Sequence, residues 1–144
     1  MFSFSKRSAA NLSSAHPELQ RLFNAVIEVI DCTVIYGHRT REQQSDMVEQ
    51  GYSKLHFPSS MHNSKPSLAC DVVPYPIDWH DRERFVYFAG VVKGMAAVMD
   101  IPIRWGGDWD GDNQLHDQTW MDLPHFELKD ALLKDAFDRR DRDE

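Results

Sequence analysis

Residues able to do metal and acid–base chemistry fall in separated places along the chain. Ser59-Ser60-Met61-His62 is followed by a polar loop and then by Ala69-Cys70-Asp71-Val72-Val73, which sets an aspartate inside an apolar run. Far downstream comes Asp122-Leu123-Pro124-His125-Phe126-Glu127-Leu128. Two histidines and a carboxylate are a common ligand set for catalytic zinc, which takes three protein ligands and keeps a fourth position for water. His62, Asp71 and His125 are therefore the candidate metal ligands. Each also has a plain alternative, as a surface or core-edge histidine or a turn-capping aspartate, because no compact motif such as H-E-x-x-H links them. Asp122 adds weight: a carboxylate beside a metal ligand can take a proton from an activated water and later deliver it to a leaving amine. Its alternative is a turn residue before a strand. Arg39 offers forked donors suited to a substrate carboxylate or a developing oxyanion, against the alternative of a surface ion pair at a helix start.

These residues need elements to hold them. Ser5 to Leu12 can form a short helix. Pro17 opens an amphipathic helix in which Leu19, Leu22, Phe23, Val26, Ile27 and Ile30 make one apolar stripe. Cys32 to Tyr36 is β-branched and aromatic and reads as a strand ending at Gly37. Thr40 with Gln43 forms a capping-box signature for a polar helix through Gln50, stopped at Gly51. Tyr52 to Lys65 lacks periodicity and reads as loop. Leu68 to Val73 is a second strand, and Asp81 to Met99 a second long helix with Phe85, Phe88, Ala89, Val92, Met95, Ala96 and Met99 on one face. Ile101 to Trp105 and His125 to Leu128 are further strands, separated by an acidic, irregular loop from Asp108 to Trp120. A last helix is expected over Asp130 to Phe137. Interspersed strands and helices without regular alternation predict an α+β fold, a small, mostly antiparallel sheet with two long helices packed on it.

Bulk properties narrow the function. The chain has 144 residues, enough for one domain with a real core. We expect a single domain over residues 1–144, with its core over about 5–128 and a C-terminal helix and charged tail over 129–144. A formal net charge of −7 argues against nucleic acid, which requires a concentrated basic face. No run approaches the roughly 18 apolar residues of a membrane span. The N-terminus does not read as a signal peptide, so synthesis in the cytoplasm is expected. Cys32 and Cys70 sit in apolar stretches and read as buried free thiols. Asp108-Trp109-Asp110-Gly111-Asp112 resembles the opening of an EF-hand loop, but its glycine falls early and Thr119 stands where the closing glutamate belongs. An acidic, solvated loop is the preferred reading over a calcium site. Trp105, Trp109 and Trp120, with Tyr75 and Trp79, either line a cleft or belong to the core.

Taken together, Ser60-x-His62…Ala69-x-Asp71 and Asp122-x-x-His125-Phe126 resemble the zinc peptidases that cut peptidoglycan stem peptides. That family includes D-alanyl-D-alanine dipeptidases and carboxypeptidases and the phage L-alanyl-D-glutamate endopeptidases. Gly37-x-Arg39-Thr40…Gln43-Gln44 is similar to the family's G-x-R-[ST] segment, and Trp105-Gly106-Gly107-Asp108-Trp109 to the stretch before its final histidine. The match runs from about Ser5 to Leu128. It implies a Hedgehog/D-Ala-D-Ala peptidase-like fold, zinc on His62, Asp71 and His125, and Asp122 as general base and then acid. It further implies that Arg39 steadies the carbonyl oxygen and that Ser60 and Gln44 position the substrate. Aspartate at the base position is similar to the phage endopeptidases, which with the small size points to a phage or prophage endolysin that hydrolyses the L-alanyl-D-glutamate bond of the cell-wall stem peptide. The alternatives are a D-Ala-D-Ala carboxypeptidase or dipeptidase of wall remodelling and a non-catalytic, zinc-stabilised wall-binding domain. The resemblance also implies a monomer, made in the host cytoplasm and released to the wall by a partner holin, and the lack of a wall-binding module favours a Gram-negative host. The segment Asn63–Cys70 is longer than the family's usual spacing, and a bulge at the mouth of the cleft is expected there.

Overall fold

The computed structural model describes residues 1–129, so the helix expected over Asp130 to Phe137 lies outside the described residues. Helices α1 (Lys6–Ser13) and α2 (Pro17–Val29) lead into strand β1 (Cys32–Tyr36), and α3 (Arg41–Glu49) follows. A 3-10 turn at Met61–Asn63 precedes β2 (Ala69–Pro74); then come the long helix α4 (Arg82–Val98), β3 (Ile103–Trp105) and β4 (His125–Leu128). The four strands form one sheet in the order β1-β2-β4-β3, every pair antiparallel. The fold is α+β, as the pattern of elements predicted.

Local chemistry explains most boundaries. Ser5 Oγ accepts from the Ser8 amide at the start of α1, and Pro17 takes the first position of α2, where its missing N–H costs nothing. Thr40 and Gln43 form a reciprocal capping box at the start of α3, which runs into Gln50 and then Gly51 at φ +81°. Asp81 caps α4 through the Arg84 amide. Strand β3 begins at Ile103, two residues later than the β-branched run suggests. Pro102 has no N–H for a ladder, and the Ile101 amide is spent on the carbonyl of Ala96.

Alternation along the strands divides the sheet into two faces. Cys70 and Val72 of β2 with Phe126 and Leu128 of β4 join the core, where α2 contributes Leu19, Leu22, Phe23 and Val26 and α4 contributes Phe88, Ala89, Val92 and Ala96. Phe126 is the hinge pin of this packing, edge-on to both Phe23 (centroids 5.6 Å apart) and Phe88 (6.0 Å). Both cysteines are buried and free, as expected. The opposite face carries Asp71, His125, Glu127 and Arg104. Asp71 pairs directly with His125 across β2–β4, and Glu127 with Arg104 across β4–β3. One face thus builds the core and the other the site.

The segment between His62 and Asp71 is largely buried. Ser67 is fully buried; its amide donates to Ser14 and its carbonyl accepts from His16, so the segment is stitched to the α1–α2 junction. Lys65 is its exposed residue.

Candidate metal and catalytic site

The candidate ligands come from a 3-10 turn and two paired strands, and they converge. Ser60 caps the turn, its Oγ accepting from the His62 amide (3.2 Å) while its own amide donates to Asn63 Oδ1 (3.0 Å). His62 Nδ1 lies 2.8 Å from the carbonyl of Gly37, which leaves Nε2 facing Asp71 Oδ1 at 3.2 Å. His125 Nδ1 faces the same oxygen at 3.3 Å. The two imidazoles meet edge to face, with centroids 5.2 Å apart. One nitrogen from each histidine and one Asp71 oxygen lie within 4.8 Å of one another, all on buried residues.

Arg39 closes one side of this cluster. It is 3 % exposed and lies over the ring of Tyr36, with Nη2 3.3 Å from Asp71 Oδ2 and Nη1 3.0 Å from Gln44 Oε1. Its Nε is buried without a hydrogen-bond partner. Gln44 is fully buried and wholly committed: Oε1 also accepts from Asn63, and Nε2 donates to Ser53 Oγ and to the Leu55 carbonyl. Ser60 and Gln44, expected to touch substrate, are thus placed where they hold His62 and Arg39. Asp122 lies on the other side, 32 % exposed, with Oδ2 3.9 Å from His125 Nδ1. Gly106 anchors it: the Asp122 amide donates to the Gly106 carbonyl (2.7 Å) and the Gly106 amide to the His125 carbonyl (2.8 Å).

The electrostatics are dominated by carboxylates around buried nitrogen. Burial alone would raise the Asp71 carboxyl, but the charge on His62 and hydrogen bonds from both histidines outweigh it and hold it well below the usual carboxylate range. Burial likewise disfavours a charged His125, yet its bonds to Asp71 and Glu127 push it up to about 10. Asp71 and Glu127 thus set negative charge against both nitrogens of His125. Asp122 moves the other way: burial and the nearby charge of Asp71 raise its carboxyl above the ordinary value, against the pull of His125, His62 and Arg39.

The tryptophans separate. Trp109 tilts against His125 (5.5 Å) and stacks on Trp120 (5.8 Å), so these two flank the cluster. Trp105 belongs to the core, whereas Tyr75 and Trp79 are exposed, Trp79 stacked on Phe85. In the acidic loop, oxygens of Asp108, Asp110 and Asp112 lie within 4.8 Å of one another. Asp108 is buried there and already receives Lys93 Nζ (3.2 Å) and the Asn113 amide (2.9 Å) through Oδ2. Glu127 is a further residue of this site that no sequence motif marks. Its signal is the two-residue step from His125 within a strand, which places both on one face.

The fold is similar to the crystal structure of the Serratia marcescens L-Ala D-Glu endopeptidase ChiX, with a TM-score of 0.70 and 28 % identity, covering 88 % of this chain and 90 % of that one. An α+β sheet carrying a buried His–Asp–His cluster, in the setting of that likeness, defines the chain as a small peptidase. The chain belongs to the phage L-alanyl-D-glutamate peptidase family, whose model matches residues 1–129. The L-alanyl-D-glutamate peptidase of Escherichia phage T5 is 32 % identical over 136 residues, 88 % of this chain and 98 % of that protein.

Proposed function

We propose that this chain is a zinc-dependent endopeptidase that hydrolyses the L-alanyl-D-glutamate bond of peptidoglycan stem peptides, acting as one catalytic domain. The observation that carries this reading is the convergence of His62, Asp71 and His125 between Arg39 and Asp122 in a member of this family. The donor set fits zinc: two imidazole nitrogens and one carboxylate oxygen, buried and mutually close, in a pocket whose carboxylates favour a positive charge. When bound, the ion supplies Lewis acidity that polarises a carbonyl and brings a water's pKa near 7.

The chain's own groups do the rest. Asp122, with its raised proton affinity and partial exposure, takes the proton of the attacking water and returns it to the amine of D-glutamate as the amide bond breaks. Arg39 is held rigid by Gln44, Tyr36 and Asp71, which fixes its positive guanidinium beside the cluster to steady the carbonyl oxygen as it becomes negative. Ser60 acts by fixing the turn that carries His62, and Gln44 by fixing Arg39. Trp109 and Trp120 form an apolar wall beside His125 for the stem peptide.

The test is a digest of purified sacculi, with muropeptides read by mass spectrometry, with and without a chelator. Fragments with a new amino-terminal D-glutamate, lost on chelation and restored by zinc, are the expected result. Loss of terminal D-alanine instead would assign the chain to the carboxypeptidase branch. Activity unaffected by chelation would remove zinc from the reaction.

A further inference from the structure

The face of the sheet that bears the site holds a second buried carboxylate, for which the reaction has no direct use. Glu127 is 4 % exposed. A charge so far from water persists when it is paired and hydrogen-bonded. Its Oε1 lies 2.7 Å from His125 Nε2, and its Oε2 accepts from Arg104 Nη2 (2.7 Å) and Nε (3.3 Å). Arg104 also lies over the ring of Trp109, which itself packs against His125. Arg104 therefore grips His125 through two intermediaries, a carboxylate at the ring's edge and an indole beside it.

The consequence lies in which nitrogen is free. A neutral imidazole has one N–H and one lone pair, and an acceptor at one nitrogen fixes the N–H there. With Nε2–H donated to Glu127, Nδ1 is the nitrogen at which a cation would replace the proton of His125, and it faces Asp71 Oδ1 at 3.3 Å. At His62 the arrangement is reversed. The Gly37 carbonyl takes Nδ1–H, and Nε2 faces Asp71. One histidine is oriented by a neutral carbonyl and the other by an ionised carboxylate.

We propose that Glu127, clamped by Arg104, is a positioning residue that locks His125 in its Nε2–H form and so presents Nδ1 to the metal. The inference rests on the zinc reading above. Outer partners of ligating histidines are worth roughly 10- to 100-fold in metal affinity. Glu127→Gln keeps the size and one acceptor but removes the charge, Glu127→Leu removes both, and Arg104→Gln leaves the carboxylate without its clamp.

The zinc dissociation constant of each variant, by competition with a chromophoric chelator, tests this. The expected results are a rise of about 10-fold or more for Glu127→Gln, a larger rise for Glu127→Leu and a smaller one for Arg104→Gln. The zinc concentration giving half-maximal activity should rise in parallel, with KM at saturating zinc unchanged in Glu127→Gln. Long-range proton–nitrogen NMR of the zinc-loaded wild type should show Nε2–H on His125. Thermal melts establish that each variant is folded, and Glu127→Gln carries the test if Glu127→Leu is not. Wild-type zinc affinity in folded Glu127→Gln, or zinc on Nε2 of His125, overturns the positioning role alone. A wild-type chain that binds no zinc overturns both this inference and the zinc reading.

Discussion

At the scale of single residues, the same chemical group serves different ends according to its surroundings. Asp71 and Asp122 are both aspartates near His125, yet paired imidazoles hold one far below the ordinary range while burial and a neighbouring negative charge raise the other. The first is suited to stay ionised as a ligand and the second to exchange a proton. Replacing Asp122 with Asn should therefore lower kcat by about 10²- to 10⁴-fold while leaving zinc content, measured by atomic absorption, unchanged. Loss of bound zinc in that variant would move Asp122 from the proton-transfer role to the metal shell.

At the scale of elements, tight turns and one loop set the site's dimensions. A Cβ on Gly106 would meet the Asp122 carbonyl, so Gly106→Ala should push Asp122 away from His125. We expect kcat to fall by at least 10-fold and the thermal midpoint to fall as well, because the clash is with backbone; full activity in a folded variant would show that Asp122 tolerates displacement. The acidic loop is fastened to α4 by Asp108 and Lys93. Burial works to raise the Asp108 carboxyl, but the Asn113 amide and Lys93 prevail and lower it below its ordinary 3.8. A carboxyl lowered in the folded state contributes stability that is present above its unfolded value and lost as pH falls through the folded one. Urea midpoints of Asp108→Asn should accordingly drop less than those of wild type between pH 5 and pH 2. Equal acid sensitivity would mean that the contact contributes nothing to stability.

At the scale of the whole molecule, the core and the site are two faces of one sheet and share its register. Phe126, buried against Phe23 and Phe88, is the chain neighbour of both His125 and Glu127. Truncating it to Ala should cost about 3–5 kcal/mol in chemical denaturation. Because β4 would lose its seat on the helices, zinc affinity should fall in the same variant even under conditions where it stays folded. A variant that loses stability but keeps its zinc affinity would show that β2 and the His62 turn hold the site without β4.

Much of this was legible from the chain alone, and for a local reason. The stripe of α2, the capping box at Thr40 and Gln43, the glycine stop at Gly51 and the apolar face of α4 all arise from neighbours within a few residues. The separated His62, Asp71, Asp122 and His125 could be named from their order and resemblance, although spacing alone left them ambiguous. Tertiary structure decided the remainder, because it depends on partners far apart in sequence. Pairing of β2 with β4 sets Asp71 opposite His125, and pairing of β4 with β3 sets Glu127 opposite Arg104. Packing turned Gln44 inward onto Arg39 and stitched Ser67 to the α1–α2 junction. Which nitrogen each histidine turns toward Asp71 is likewise set by the Gly37 carbonyl in one case and by Glu127 in the other. Residue types specify the donors available, and only the folded arrangement of their acceptors determines which donors remain free for chemistry.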